Sequence, residues 1–305
     1  MMRTVKLVSF LELIRFSHTI FALPFACLSA MMAVATPLPG GVQVSINFKL
    51  ALAILLCMVF ARSAAMAFNR LTDHHIDAAN PRTSIRHLPR GALSRTEVWA
   101  FTVFCCVAFV SSTALFLPNR LPLIASVPVL SFLLGYSLAK RFTAAAHVWL
   151  GLALALAPIC VWVALRGLTS GHVMSDLAPA LMLAGAVVTW VAGFDIIYAC
   201  QDADFDRAAG LHSIPAKLGI ERALRLAAVL HAVTWICLCL LPFVATELNL
   251  GLPYGLAMAI IGGLLVYQHR IVRPDDLARV NIAFFHVNAI ISVLLLVATG
   301  IDCFW

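Results

Sequence analysis

Charge is scarce in this 305-residue chain: 11% of its residues are Asp, Glu, Lys or Arg, while 62% are apolar. Soluble globular chains carry about a quarter charged and about half apolar residues. Too little polar side chain is present to clothe a water-facing surface, so a soluble enzyme and a disordered chain are excluded. Strict apolar–polar alternation is also missing. The apolar residues come in runs, which argues against a transmembrane β-barrel. Among nine cysteines no CxxC pair occurs, and Cys27, Cys57, Cys105, Cys106, Cys160, Cys237 and Cys239 sit inside apolar runs. They read as small buried residues rather than bridges or metal ligands, and a disulfide scaffold is excluded.

Long hydrophobic runs are what the chain does have. Apolar windows occur at about 18–36, 46–66, 98–117, 121–139, 147–165, 179–199, 224–245, 252–268 and 283–303. A helix crossing the hydrocarbon needs about 20 apolar residues, so nine would use about 180, close to the apolar share of the chain. The pattern predicts an all-α, polytopic membrane protein with nine transmembrane helices. A very short turn at Pro118 and Asn119 makes the fourth helix an antiparallel neighbour of the third.

The net charge is +7, which in a soluble protein would raise the question of nucleic acid. Here it is sorted by loop instead. Eighteen of the 21 Lys and Arg fall at the N-terminus and in the second, fourth, sixth and eighth connections; only Lys49, Arg120 and Arg166 fall in the others. By the positive-inside rule the N-terminus is cytoplasmic, and with nine spans the C-terminal end lies outside a bacterial-type inner membrane. No nucleic-acid partner is expected; the lipid bilayer is. Ala33-Val34-Ala35 resembles a signal cleavage site, yet the lead-in up to His18 is long and holds Glu12 and Arg15, so the first segment is expected to be retained.

Two of the inside connections are longer and more polar than the rest, at about 67–97 and 195–223. The first reads Asn69-Arg70-Leu71-Thr72-Asp73-His74-His75-Ile76-Asp77, then Asn80-Pro81-Arg82-Thr83, Arg86 and Arg90. The second reads Asp195-Ile196-Ile197-Tyr198, then Gln201-Asp202-Ala203-Asp204-Phe205-Asp206 and Gly210-Leu211-His212-Ser213. Four spans separate them, so both lie on one side, and the chain reads as two related halves. On a helix, positions i and i+4 share a face. Asn69, Asp73 and Asp77 thus form one oxygen-rich stripe, Asp202 and Asp206 another, with Asp195 a little under two turns before Asp202. Facing carboxylates repel unless a cation lies between them. Magnesium suits the role, since it takes oxygen ligands and keeps waters and substrate phosphates. Arg82, Arg86, Lys140 and Arg141 would then neutralise a diphosphate.

Blander roles compete at several positions. A single DxxxD on an inside loop is ordinarily a solvated face, but two on equivalent loops abutting spans point to function. Lys140 and Arg141 serve equally well as flank anchors. Asp204 points away from the Asp202/Asp206 face. His74 and His75 lack a zinc pattern such as HExxH and read as surface residues. His231 and His286 lie in spans, where a packed polar contact between helices is expected. Arg62, near the membrane boundary, fits an anchor or a phosphate contact. Ion-coupled secondary transport is the reading from another class, but transporters place such acids near the midplane, whereas every motif acid here is at a span end.

Asn69-xxx-Asp73-xxx-Asp77 followed by Arg82-Thr83, together with Tyr198-xxx-Asp202-xxx-Asp206, resembles the UbiA-type intramembrane aromatic prenyltransferases. Arg15-Phe16-Ser17-His18 through Pro24-Phe25 is similar to that family's first-helix opening, and Tyr136-Ser137-xx-Lys140-Arg141 to its central motif. The resemblance covers nearly the whole chain and implies one prenyltransferase domain over 1–305, a nine-helix bundle around a central cavity. It implies binding of a polyprenyl diphosphate through Mg2+ and transfer of the prenyl group to an aromatic acid of the 4-hydroxybenzoate kind, in respiratory quinone synthesis. The family's metal positions match Asn69, Asp73, Asp77, Asp202 and Asp206, with Asp195 in support. Its basic and Tyr positions near the diphosphate match Arg62, Tyr136, Lys140 and Arg15. In that chemistry Tyr136 or Tyr198 would present a ring face to an allyl cation, and Arg62 and Arg15 are candidate partners for the acceptor carboxylate. Many members carry Asp where this chain has Arg70. That form looks more like the branch linked to menaquinone synthesis, so a dihydroxynaphthoate acceptor stands as the alternative.

Overall fold

The computed structural model describes residues 9–14, 23–38, 40–168 and 173–305. Its elements are helical, and no strand occurs among the described residues. In chain order the helices are α1 (Leu23–Ala35), α2 (Phe48–Thr72), α3 (His74–Ala79), α4 (Arg95–Thr113), α5 (Leu121–Ala139), α6 (Ala146–Arg166), α7 (Val173–Ala199), α8 (Ala203–Ala208), α9 (Ile214–Leu218), α10 (Ile220–Val244), α11 (Leu252–Ile271) and α12 (Asn288–Phe304). A π-helical turn over Ile282–Val287 leads into α12. Among the described residues eight stretches are long and apolar enough to cross a membrane, and α1 is a shorter ninth of 13 residues over its described length. Each hydropathy window therefore holds a helix, and the protein is an integral, multi-pass membrane protein. All nine cysteines are free thiols, as the apolar context of most of them implied.

Proline stands inside α5, α6, α7 and α10 at Pro128, Pro158, Pro179 and Pro242. Membrane helices tolerate it because neighbouring helices and hydroxyls take up the displaced polar groups. Ser29 donates to the Pro158 carbonyl at 2.7 Å, tying α1 to α6.

The chain folds as two compact units. Unit 1 comprises Met1–Ile20 and Phe48–Leu138, and unit 2 comprises Phe21–Asn47 and Ala139–Trp305. In unit 1, α2 packs along α4. Ala67, Leu71, Leu88, Leu93 and Val98 bury one end of that pair, with Leu13 and Ile14 against them. In unit 2 the helices form a closed ring in the order α1, α6, α7, α10, α11, α12 and back to α1. Inside it, Phe25, Leu183, Val187, Trp190, Ile261 and Leu295 are part of one apolar core. The core leaves a cavity of about 10 Å³ beside Trp190, Thr234 and Ile291, room for about one water.

Small residues set the closest approaches in that ring. A Cβ on Gly151 of α6 would fall 2.4 Å from the Val188 carbonyl oxygen of α7. A Cβ on Gly193 of α7 would fall 2.4 Å from the ring of His231 on α10. This is the way membrane helices pack when lipid offers no hydrophobic gain from association. At one end of unit 2, Arg166 acts as a hub. It pairs with Asp176, donates to the carbonyls of Ala33, Thr36 and Pro37, and stacks 4.9 Å from the Trp162 ring centroid. Its side chain is fully buried. A buried guanidinium is tolerable only when its donors are met this completely.

Candidate active site

In unit 1 the polar end of α2 carries Asn69 and Asp73 one turn apart, and the Asn69 amide donates to Asp73 Oδ2 at 3.2 Å. The long helix breaks at Asp73 (φ −88°, ψ 3°), and the six-residue α3 follows with Asp77 four positions on. Asp73 and Asp77 are 2% and 3% exposed. Arg86 donates to Asp77 Oδ1 at 2.6 Å, and Arg70 Nη1 lies 4.0 Å from Oδ2. The turn at Asn80-Pro81-Arg82-Thr83 brings Arg86 there: Asn80 Oδ1 accepts the Arg82 N–H at 2.9 Å, and the Thr83 hydroxyl donates to the Asp77 carbonyl at 3.0 Å.

Unit 2 repeats the motif. Helix α7 carries Asp195 and Tyr198, a 3-10 turn covers Cys200–Asp202, and the six-residue α8 follows. Asp202 stands where Asp73 stood, at φ −108° and ψ 5°, with Asp206 four positions on. Asp is a preferred cap at such a position, yet neither Asp73 nor Asp202 turns its carboxylate onto the short helix that follows. Asp73 and Asp202 thus stand alike, each at the break of a long helix.

The continuous helical path Val173–Ala208 has 36 residues. That is more than the about 20 residues that cross the hydrocarbon, and its polar end carries Asp202, Asp204, Asp206 and Arg207. There, burial raises the Asp206 carboxyl above its usual range, the nearby Ser213 hydroxyl acts the other way, Asp202 adds to the rise and the charge of Lys140 opposes it. Asp202, Asp206 and Lys140 thus share one electrostatic neighbourhood. The Lys140 carbonyl accepts the His212 N–H at 2.7 Å.

Asp195 is engaged by His147, whose Nδ1 lies 2.7 Å from Asp195 Oδ2. The other ring nitrogen accepts the Ile214 N–H at 3.3 Å. Below Asp202 on the four-residue repeat come Tyr198, Phe194 and Trp190. The π-helical turn brings Phe284 against two of them, 4.4 Å from Tyr198 and 5.2 Å from Phe194 between centroids.

The remaining expected residues fall as follows. Arg62 is half-buried on α2, about two turns before Asn69, and its Nε is buried without a hydrogen bond. Tyr136 is half-buried on α5, and Arg141 is exposed in the turn after it. Arg15 lies outside the described residues. Asp204 is exposed and pairs with Arg207 at 3.1 Å, as its off-face position implied. His231 makes the expected contact between helices, 2.9 Å from His269 on α11.

The donor set fits magnesium. Asp77 Oδ2 is buried with no hydrogen bond, and its ion-pair partner Arg70 stays 4.0 Å away, so a cation in direct contact would offset its burial. Among the described residues no group of three or more His, Cys, Asp or Glu forms a ready metal cage. Magnesium takes one or two carboxylates and completes its shell with water and phosphate.

His147 was missed by sequence reasoning, and so was Phe284. A histidine seven residues after Lys140 carries no local pattern. Its partner Asp195 is 48 positions away, and only the packing of α6 on α7 brings the two together.

The model of the UbiA prenyltransferase family matches residues 22–290. A 4-hydroxybenzoate octaprenyltransferase of Coxiella burnetii (strain CbuK_Q154) is 29% identical over 272 residues, 88% of this chain and 88% of that one. One of Nitrosospira multiformis is 30% identical over 244 residues, 78% of this chain and 77% of that one. Among solved structures, the apo structure of a UbiA homolog from Aeropyrum pernix K1 is similar at a TM-score of 0.81 and 31% identity, covering 94% of this chain and 98% of that one. A UbiA homolog from Archaeoglobus fulgidus bound to DMAPP and Mg2+ has the same fold, with a TM-score of 0.72 at 18% identity over 97% of this chain and 99% of that one.

Proposed function

The chain belongs to the UbiA prenyltransferase family, and from that premise we propose that it transfers a polyprenyl group from a polyprenyl diphosphate to the ring of a hydroxylated aromatic acid, with 4-hydroxybenzoate the first candidate. The observation that supports this most is the doubled acid motif, Asp73/Asp77 and Asp202/Asp206, each pair set on a helix break with the same backbone geometry. The relatives' names favour a 4-hydroxybenzoate acceptor, and Arg70 keeps a dihydroxynaphthoate in play. We take residues 1–305 to act as one catalytic domain in a bacterial-type inner membrane, with the acid motifs on the cytoplasmic side.

In this reading Asn69, Asp73, Asp77, Asp202 and Asp206 would hold Mg2+, with Asp195 supporting from α7. When bound, the ion supplies positive charge to the departing diphosphate. The chain's own cations do the same work. Lys140 beside Asp206, Arg82 and Arg86 on the turn after α3, Arg141, and Arg62 and Arg15 are the groups that would face phosphate or acceptor carboxylate. Guanidinium matches both in bidentate fashion. The allylic C–O bond breaks with its electron pair going to diphosphate. A ring carbon of the phenol then forms the new C–C bond, and the ring loses its proton. Tyr198, stacked on Phe284, and Tyr136 would offer aromatic faces to the positive charge between those events. Apolar helices keep water from quenching it and leave the isoprenoid tail in hydrocarbon.

The test is transfer by the purified protein of label from a radiolabelled polyprenyl diphosphate, with magnesium and a panel of aromatic acids, the product identified by mass spectrometry. A magnesium-dependent prenylated product is expected, and the acid consumed fixes the acceptor. No product with any acceptor, together with solute flux in liposomes, would replace the transferase reading with a transporter.

A further inference from the structure

The segment Leu211–Ile214 touches three of the candidate site residues at once, and His147 is its anchor. Its His212 N–H donates to the Lys140 carbonyl at 2.7 Å. Its Ser213 side chain lies beside Asp206 and opposes the upward push on that carboxyl, and its hydroxyl caps α9 by accepting the Ala216 N–H at 3.3 Å. Its Ile214 N–H donates to His147 Nε2 at 3.3 Å, and His147 Nδ1 reaches Asp195 on α7 at 2.7 Å. At its start, Leu211 N–H donates to the Asp206 carbonyl at 2.8 Å. Four residues of backbone thereby connect the turn after α5, the short helix α8, and the paired ends of α6 and α7.

The partners fix the tautomer of His147. An ionised carboxylate only accepts, so Nδ1 carries the proton; a backbone N–H only donates, so Nε2 presents its lone pair. Both nitrogens are therefore committed, and the residue is 5% exposed. In that state it is neither a general base for the ring proton nor a metal ligand. It is the fixed joint between Asp195 and the strap.

We infer that His147 is a positioning residue: with Ser213 it holds the strap 211–214 so that Lys140 and Asp206 stay set for the magnesium diphosphate. This rests on the transferase reading above and adds to it the residue that orders one half of the site. A partner that orients ligating groups typically matters by about ten- to a hundredfold in affinity or activity when removed.

Four single variants, one double variant and two readouts test it in the full-length purified protein. Asn at 147 reaches as far as Nδ1 and keeps a donor for Asp195; Gln reaches as far as Nε2 and keeps an acceptor for Ile214. The expected order of kcat/KM for the polyprenyl diphosphate is wild type, then His147→Asn and His147→Gln, then His147→Ala. His147→Ala should lose about ten- to a hundredfold, with the KM for the aromatic acid unchanged. Ser213→Ala should move the same parameters, and the double variant His147→Ala/Ser213→Ala should be no worse than the worse single one. The second readout needs no turnover: the rise in melting temperature caused by Mg2+ with inorganic pyrophosphate should shrink in the same order.

Wild-type kinetics and a wild-type pyrophosphate shift in His147→Ala would overturn the inference. So would losses that track only the ligand-free melting temperature while His147→Asn, His147→Gln and Ser213→Ala behave as wild type. If the wild-type protein transfers nothing to any acceptor, the transferase reading fails separately. In that case a wild-type pyrophosphate shift that shrinks in the variants still upholds the strap, and a wild type with no shift overturns it.

Discussion

At the scale of single residues, the acids of the two motifs have different surroundings and should fail differently. Asp73 accepts from Asn69, and Asp202 stands beside Asp206; Asp77 is held in a short ion pair with Arg86. Asp73→Ala and Asp202→Ala are expected to lower turnover at least about a hundredfold, the usual loss of a group that stabilises transition-state charge, with normal membrane insertion and melting temperature. Near-normal turnover in either would make these acids a solvated face. Asp77 has Arg86 on one oxygen and Arg70 near the other, so Asp77→Ala removes the ion-pair partner of Arg86. It should also cost stability, on the order of 1–3 kcal/mol, below the figure for a fully buried pair because Arg86 keeps a fifth of its side chain exposed. A melting curve in detergent separates the two kinds of loss. The stripes Asn69/Asp73/Asp77 and Asp202/Asp206 were legible in the sequence because spacing along one helix is local information. That Arg86 folds back nine positions onto Asp77 was not, since it depends on how Asn80 and Thr83 close the turn between them.

Secondary-structure elements carry a second lesson, in how closely they approach. On the α6–α7 contact the obstacle to a side chain at Gly151 is backbone, the Val188 carbonyl, which cannot rotate away. Gly151→Ala should therefore push the helices apart and cost about 1–3 kcal/mol, the usual penalty of overpacking. Gly185, also on α7, has open space where its Cβ would be. Gly185→Ala should be neutral or stabilise by up to about 1 kcal/mol through helix propensity. Thermal denaturation in the same detergent checks the pair, and equal melting temperatures for the two variants would refute the packing argument. Hydropathy located each long helix within a few residues, because some 20 apolar residues in a row admit little else. The six-residue helices α3 and α8 were invisible to it. They arise where a long helix breaks at an aspartate, over one residue before α3 and a three-residue 3-10 turn before α8, and breaks so short leave no mark on a hydropathy window.

At the scale of the whole molecule the scarce charge is sorted, and the sorting predicts which side each connection occupies. The 18 cations on the expected inside connections leave Lys49, Arg120 and Arg166. Of these, Arg166 is explained by unit 2 itself: paired with Asp176 and wrapped by three carbonyls, it presents no free charge for the membrane potential or the anionic leaflet to act on. Lys49 reaches toward the Leu117 carbonyl at 3.5 Å. The orientation rule then applies with almost no dissent. It can be read with thiols, because most of the native cysteines lie along apolar helices, none of the nine is exposed, and all should react poorly with a charged reagent. Val42 and Asp204 are 60% and 93% exposed, on connections separated by five spans. A membrane-impermeant maleimide applied to intact cells should label Val42→Cys and leave Asp204→Cys unlabelled until the membrane is permeabilised. The reverse pattern would put the acid motifs outside the cell, away from the side on which the cationic loops should lie. Equal labelling of both would break the count of spans on which the assignment of sides rests.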